Sequence, residues 1–144
     1  MLIAIDFDGV LAKFDSWEGL ASADEPIEEN VEKVKELHKK GHTFIIFTCR
    51  LNKKNESEHD LAEKTIKDWL VKYEIEYLFS GMTGNKVGAD IYWDDRAVFT
   101  IDQLDERIKK LTIEQAVKKR KRNINWRGKH VNLDKFESLF DDEN

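Results

Sequence analysis

Two periods of apolar residues alternate along the chain. Runs rich in apolar positions stand at residues 2–6, 43–48, 75–79 and 89–94. Short, nearly continuous apolar runs of this kind suit strands of a parallel sheet buried on both faces. Between the first two runs, Ile27, Val31, Val34 and Leu37 recur at helical spacing. Pro26 suits the start of that helix, and Gly41, behind the basic pair Lys39 and Lys40, suits its end. A second helical pattern covers about 58–73, with Leu61, Ala62, Thr65, Trp69 and Tyr73 on one face. A third covers 102–111 and predicts Leu104, Ile108 and Leu111 facing inward. Strands alternating with helices predict an α/β fold, a three-layer Rossmann-like parallel sheet with helices on both faces and right-handed crossovers.

The pattern changes at residue 112. Thr112 and Gln115 fit a capping box, which predicts a new helix running into the basic segment Lys118-Lys-Arg-Lys-Arg122. Asn-Ile-Asn-Trp126-Arg-Gly128 reads as a loop, and Leu133, Phe136, Leu139 and Phe140 predict a short final amphipathic helix. The expected organisation is a core over 1–111 and a helical, partly basic extension over 112–144.

Composition narrows the class. The chain has 144 residues, 40% of them hydrophobic, which suits one domain with one core rather than a disordered chain. The formal net charge of −5 is unevenly spread, because residues 118–130 hold seven Lys or Arg and no acid. Cys49 is the single cysteine, so no disulfide forms within the chain. No apolar run approaches the roughly 20 residues of a membrane span. Acids interrupt the N-terminal apolar run, which is unlike a signal peptide. A cytoplasmic location without membrane contact is the expectation.

Candidate chemistry gathers where strands end. Asp6 and Asp8, followed by Gly9, close the first run. Thr48 closes the second, ahead of Cys49 and Arg50, and Lys86 precedes the fourth, which closes on Asp94 and Asp95. In an open parallel sheet, ligands bind at the carboxyl ends of strands. Paired carboxylates there can hold a divalent cation, and one can act as a nucleophile. Phosphoryl transfer needs such an attacker, a cation and positive groups around the phosphoryl oxygens.

Asp6-Phe7-Asp8-Gly9-Val10, Thr48, Lys86 and Asp94-Asp95 resemble, in order, the four motifs of the haloacid dehalogenase-like (HAD) superfamily, over residues 1–100. The spacing from Lys86 through Ala89-Asp90-Ile-Tyr-Trp-Asp94-Asp95-Arg96 is most similar to small phosphatase-like members. The resemblance implies a HAD-like fold and a Mg2+-dependent phosphate monoester hydrolase. Asp6 would form an aspartyl-phosphate, and Asp8 would carry the proton to the leaving oxygen. Thr48 would bind a phosphoryl oxygen, and Lys86 would offset negative charge. Asp6, Asp94 and the Asp8 carbonyl would hold Mg2+, supported by Asp95, with Gly9, Cys49 and Arg50 beside substrate. In this family a second motif acid accompanies phosphate-ester chemistry and is missing from dehalogenases. Phe7 is bulky for its place between the acids, and packing under the sheet would explain it.

Other readings of the same residues are weaker. A calcium loop has its glycine at the sixth position, not the fourth, and follows a helix. Gly81-Met-Thr-Gly84-Asn-Lys86 lacks the ending of a phosphate-binding loop. Cys49 is expected to be a buried thiol, and Arg96 to pair with an acid. Arg50 is balanced between substrate and an acid. His38, His42, His59 and His130 are expected at the surface. The 112–144 extension, with Trp126 beside its basic run, offers a nucleic-acid contact, against the plainer reading of a solvated helix end.

The stretch from Leu11 to Pro26 is too short for a lid domain. An open site suits a large phosphate ester, a nucleotide or nucleic-acid end, or cover by a partner subunit. Within it, Lys13-Phe-Asp-Ser-Trp17 could form a small flap, with Trp17 against a substrate ring or simply packed. A non-catalytic phosphate- or nucleic-acid-binding module is the alternative to an enzyme.

Overall fold

The computed structural model describes residues 1–97 and 100–127, with side chains of the last helix described as far as Lys119. The elements are β1 (Leu2–Ile5), α1 (Glu28–Lys39), β2 (Thr43–Phe47), α2 (Glu56–Lys72), β3 (Phe79–Thr83), β4 (Ile91–Trp93) and α3 (Ile101–Arg127). Short 3-10 turns at Cys49–Leu51 and Glu76–Leu78 follow β2 and precede β3. The four strands form one parallel sheet in the order β3-β2-β1-β4, so the fold is α/β. The chain divides into two units, Met1–Ala97 and Val98–Asn144.

Strand register builds the core. Ile3 pairs with Phe44 and Ile5 with Ile46, which puts these four side chains on one face of the sheet. That face joins one cluster with Val31 and Val34 of α1 and with Ala62, Ile66, Trp69 and Leu70 of α2. Ala4, Ile45, Phe47 and Tyr92 alternate to the other face, where the rings of Phe47 and Tyr92 meet edge to face at 5.6 Å. Gly41, at φ +87°, takes the left-handed conformation expected just past α1.

The third strand starts where the sequence pattern places its end. Ile75 and Leu78 are buried, but they reach the core from the 3-10 turn Glu76–Leu78. The strand itself, Phe-Ser-Gly-Met-Thr, lies at the sheet edge and is mostly half-buried. Its register against β2 slips between Phe44 and Ile46, so the two-residue period is lost. Ser80 donates its hydroxyl to the Phe44 carbonyl at 2.9 Å.

The helices also differ in detail from their patterns. On α2, Ile66 and Leu70 join Ala62 and Trp69 inside, while Leu61 is exposed and Thr65 is half-buried. The expected break at Thr112 is absent, because α3 runs unbroken through 112 and through the expected loop as far as Arg127. Thr112 donates its hydroxyl back to the Ile108 carbonyl at 2.8 Å, a bond available inside a helix. The capping box is earlier. Gln103 N–H donates to Thr100 Oγ1, and Thr100 N–H donates to Gln103 Oε1, at 3.2 and 3.1 Å. Leu104, Ile108 and Leu111, expected inward, are exposed. The helix expected around Leu133–Phe140, and His130, lie outside the described residues. Among the described residues, no helix is long and apolar enough to cross a membrane.

Candidate functional site

The strand order sets the site. The chain steps from β1 to β2 to β3 in one direction, and β4 then returns to the other side of β1. The carboxyl ends of β1 and β4 therefore flank a topological switch point, where open α/β sheets bind ligands. Ile5 pairs with Trp93, and Asp6 N–H donates to the Trp93 carbonyl at 2.9 Å. Asp6 and Asp94 are the next residues on neighbouring parallel strands, so register alone sets them side by side.

Asp6, Asp94 and Asp95 offer carboxylate oxygens that all lie within 4.8 Å of one another. Burial raises the Asp6 carboxyl from 3.8 to about 7. The Phe7 N–H, which donates to Asp6 Oδ1 at 2.7 Å, works against that rise. The negative charges of Asp94, Asp8 and Asp95 add to it. Asp94 Oδ1 accepts from the Arg96 N–H at 2.7 Å, which fixes the turn after β4. Three hard oxygen donors with a mutually repelling charge could hold a divalent metal ion.

Gly9 lets the two halves of the site approach. It sits at φ +82°, and a Cβ there would lie 2.7 Å from Asp95 Oδ2. Both facts exclude other residues without a shift.

Asp8 points elsewhere. Arg50 grips it with two parallel bonds, Nε to Oδ2 at 2.7 Å and Nη2 to Oδ1 at 2.6 Å. Arg50 Nη1 also donates to the Ser22 carbonyl at 2.6 Å. The guanidinium lies over two rings, 5.3 Å from the centre of Phe7 and 5.1 Å from that of Trp17. Its side chain is only 4% exposed. Phe7 is fully buried and meets Trp69 edge to face at 5.0 Å, so its bulk serves the core and the Arg50 stack together.

The remaining candidates are dispersed around this centre. Thr48 is buried, and its Oγ1 accepts from the Arg50 N–H at 3.3 Å, capping the turn that presents Arg50. Lys86 holds its ammonium over the Tyr92 ring at 5.3 Å. Tyr92 in turn bonds both backbone groups of Val87 and pins the loop before β4. Cys49, expected to be buried, is exposed, because it lies on the outer side of the turn that buries Arg50. Arg96 approaches Asp95 at 3.9 Å and lies over the Phe14 ring at 5.7 Å. His59, expected at the surface, lies with Asp60 and Glu63 on the first turns of α2 as a group that could hold a metal ion. His42 has a buried Nδ1 without a partner.

The segment between β1 and α1 is a closed excursion. Ala12 bridges Pro26, and Lys13 N–H donates to the Glu25 carbonyl at 2.8 Å. Trp69 Nε1 donates to the Asp24 carbonyl at 2.6 Å, tying the excursion to α2. Its two rings meet two arginines, Phe14 with Arg96 and Trp17 with Arg50. Sequence reasoning left Arg50 undecided and missed its grip on Asp8. The available signal was strand adjacency, since both residues lie just past paired strands.

No family model matches the chain, and no curated protein matches it. Two solved structures are similar. A conserved protein from Bacteroides thetaiotaomicron is 25% identical, with a TM-score of 0.49, over 76% of this chain and 90% of that one. A protein from Vibrio cholerae is 22% identical, with a TM-score of 0.48, over 76% of this chain and 98% of that one.

Proposed function

We propose that the chain is a Mg2+-dependent phosphate monoester hydrolase that works through Asp6. The observation that carries this reading is the convergence of Asp6, Asp94 and Asp95 at the switch point between β1 and β4. The resemblance of the surrounding motifs to HAD phosphatases supports it. The three carboxylates would hold the cation, which supplies a positive charge for the phosphoryl oxygens.

In the reaction, an Asp6 oxygen attacks phosphorus and the ester P–O bond breaks. The leaving oxygen takes a proton, and water then cleaves the aspartyl-phosphate to release phosphate and restore Asp6. Asp8 is the second acid at this end of the sheet. Both its oxygens are held by Arg50, so it serves the leaving group only after one of those bonds opens. Lys86 stands at the loop before β4, with its ammonium near the Tyr92 ring, and would offset the charge of the phosphate.

The engagement of Asp8 favours a second reading, a module that binds a cation and a phosphate without turnover. One experiment separates them. Purified protein with Mg2+ is expected to hydrolyse an aryl phosphate, and Asp6→Asn to abolish the activity. An inert wild type that still binds Mg2+ establishes the second reading, and an equally active Asp6→Asn overturns the mechanism.

A further inference from the structure

The excursion after β1 places an unusual side chain beside the site. Trp17 is 51% exposed, whereas Trp69 is 4% exposed and lies in the core. A large exposed ring gains little from the fold, and Trp17 has no place in the hydrophobic cluster. Yet the ring is held. It lies against the guanidinium of Arg50, which also lies over the buried Phe7 ring and grips Asp8. One guanidinium therefore links the indole to the Asp8 carboxylate. Lys53 adds a second cation over the same ring at 5.8 Å. The base of the excursion is pinned at residues 12–13 and 25–26, and by Trp69 at Asp24, so the ring stands on an anchored loop.

We propose that Trp17 is a stacking platform for the ring of the substrate, and that the substrate is a phosphorylated nucleoside, free or at the end of a nucleic-acid strand. This rests on the phosphatase reading and adds its substrate class. A phosphate monoester with a flat heteroaromatic group fits both features, the carboxylates at Asp6 that would hold the cation and an anchored indole beside the Arg50–Asp8 pair. The ammonium of Lys53, over the same ring, adds attraction for the anionic backbone next to the base. A small alkyl phosphate uses the first feature and leaves the ring idle. Stacking of a base on an aromatic side chain contributes about 1–3 kcal/mol, which corresponds to roughly 5- to 150-fold in binding.

The test compares a nucleoside monophosphate, a short oligonucleotide with a terminal phosphate, and glycerol phosphate, all with Mg2+. The readout is the ratio of kcat/KM for each nucleoside substrate to that for glycerol phosphate. Wild type is expected to favour the nucleosides, and Trp17→Leu to lower the ratio about tenfold or more, mainly through KM. Trp17→Phe, which keeps a ring, should restore most of it. Thermal melts of both variants show whether the fold is retained, and if Trp17→Leu is unfolded, the Phe variant and base-modified substrates of graded stacking strength carry the test. A preference for the oligonucleotide that falls with salt and with Lys53→Ala identifies a strand end, and a preference for the monophosphate identifies a free nucleotide. A ratio unmoved by Trp17→Leu, or a wild type that cleaves glycerol phosphate and not nucleoside phosphates, overturns the proposal and leaves the phosphatase reading standing. No hydrolysis of any ester overturns both.

Discussion

Arg50 holds both carboxylate oxygens of Asp8, at 2.7 and 2.6 Å, across 42 positions of sequence. The two residues lie beyond the ends of adjacent strands, and the pair joins the turn after β1 to the turn after β2. Its guanidinium is almost entirely out of water. Removing one partner from such a pair leaves an uncompensated charge and costs about 3–5 kcal/mol.

Arg50→Ala and Asp8→Ala should each destabilise by about that amount in urea unfolding. The double variant should lose less than the two single losses together, since the second change removes a charge that the first left stranded. Additive losses within about 0.5 kcal/mol would mean that the two side chains act independently.

Asp6 predicts a pH dependence with a definite sign. Its carboxyl titrates at about 7 in the fold against 3.8 for the ordinary group. Between those values the unfolded chain gives up its proton and the folded chain keeps it, so stability falls as pH rises through the window. Asp6→Asn cannot titrate. Its melting temperature relative to wild type, without cation, should therefore climb from pH 4 to pH 8 and then level. A difference that stays flat across this range would show that burial does not perturb the carboxyl.

Mg2+ competes with that proton. Its apparent affinity should rise with pH up to about 7, and the rise should vanish in Asp6→Asn. Calorimetry in two buffers of different ionisation heat would show proton release on binding to wild type at pH 6. Equal signals in the two buffers would contradict the assignment of Asp6 to the cation.

Gly9→Ala and Gly84→Ala should fail in different ways. At Gly9 the new methyl meets the Asp95 carboxylate, a side chain that can move away. The variant should fold with a loss on the order of 1 kcal/mol from its positive φ and bind Mg2+ more weakly. At Gly84 the methyl would lie 2.8 Å from backbone atoms of Leu51 and Asn52, which cannot yield as easily. That variant should show the larger drop in urea midpoint. Unchanged Mg2+ affinity in Gly9→Ala would separate Asp95 from the cation site.

The parts of the fold that need burial were legible in the sequence. β1 and β2 are central strands, and their apolar runs follow from having neighbours on both sides. The Asp6 and Asp94 positions followed as strand ends. β3 was misplaced because an edge strand with a bulge carries no period, while the buried Ile75 and Leu78 of the preceding turn imitate one. The start of α3 was read to within a residue, but its unbroken run was missed, because Thr112 and Gln115 imitate a capping box while Thr100 and Gln103 are the pair that closes reciprocally. The Asp8 carboxylate was assigned by motif to proton transfer. No local pattern reveals that an arginine from the neighbouring strand end takes both its oxygens.

Arg50, in contact with Phe7 and Trp17 and paired with Asp8, couples four positions physically. A lysine at position 50 could not lie flat over two rings or match both oxygens of Asp8. Drift at any one of Phe7, Asp8, Trp17 and Arg50 strips the others of their reason to persist. In chains descended from a common ancestor with this one, the four should be kept or abandoned together, whatever happens to the exposed residues around them.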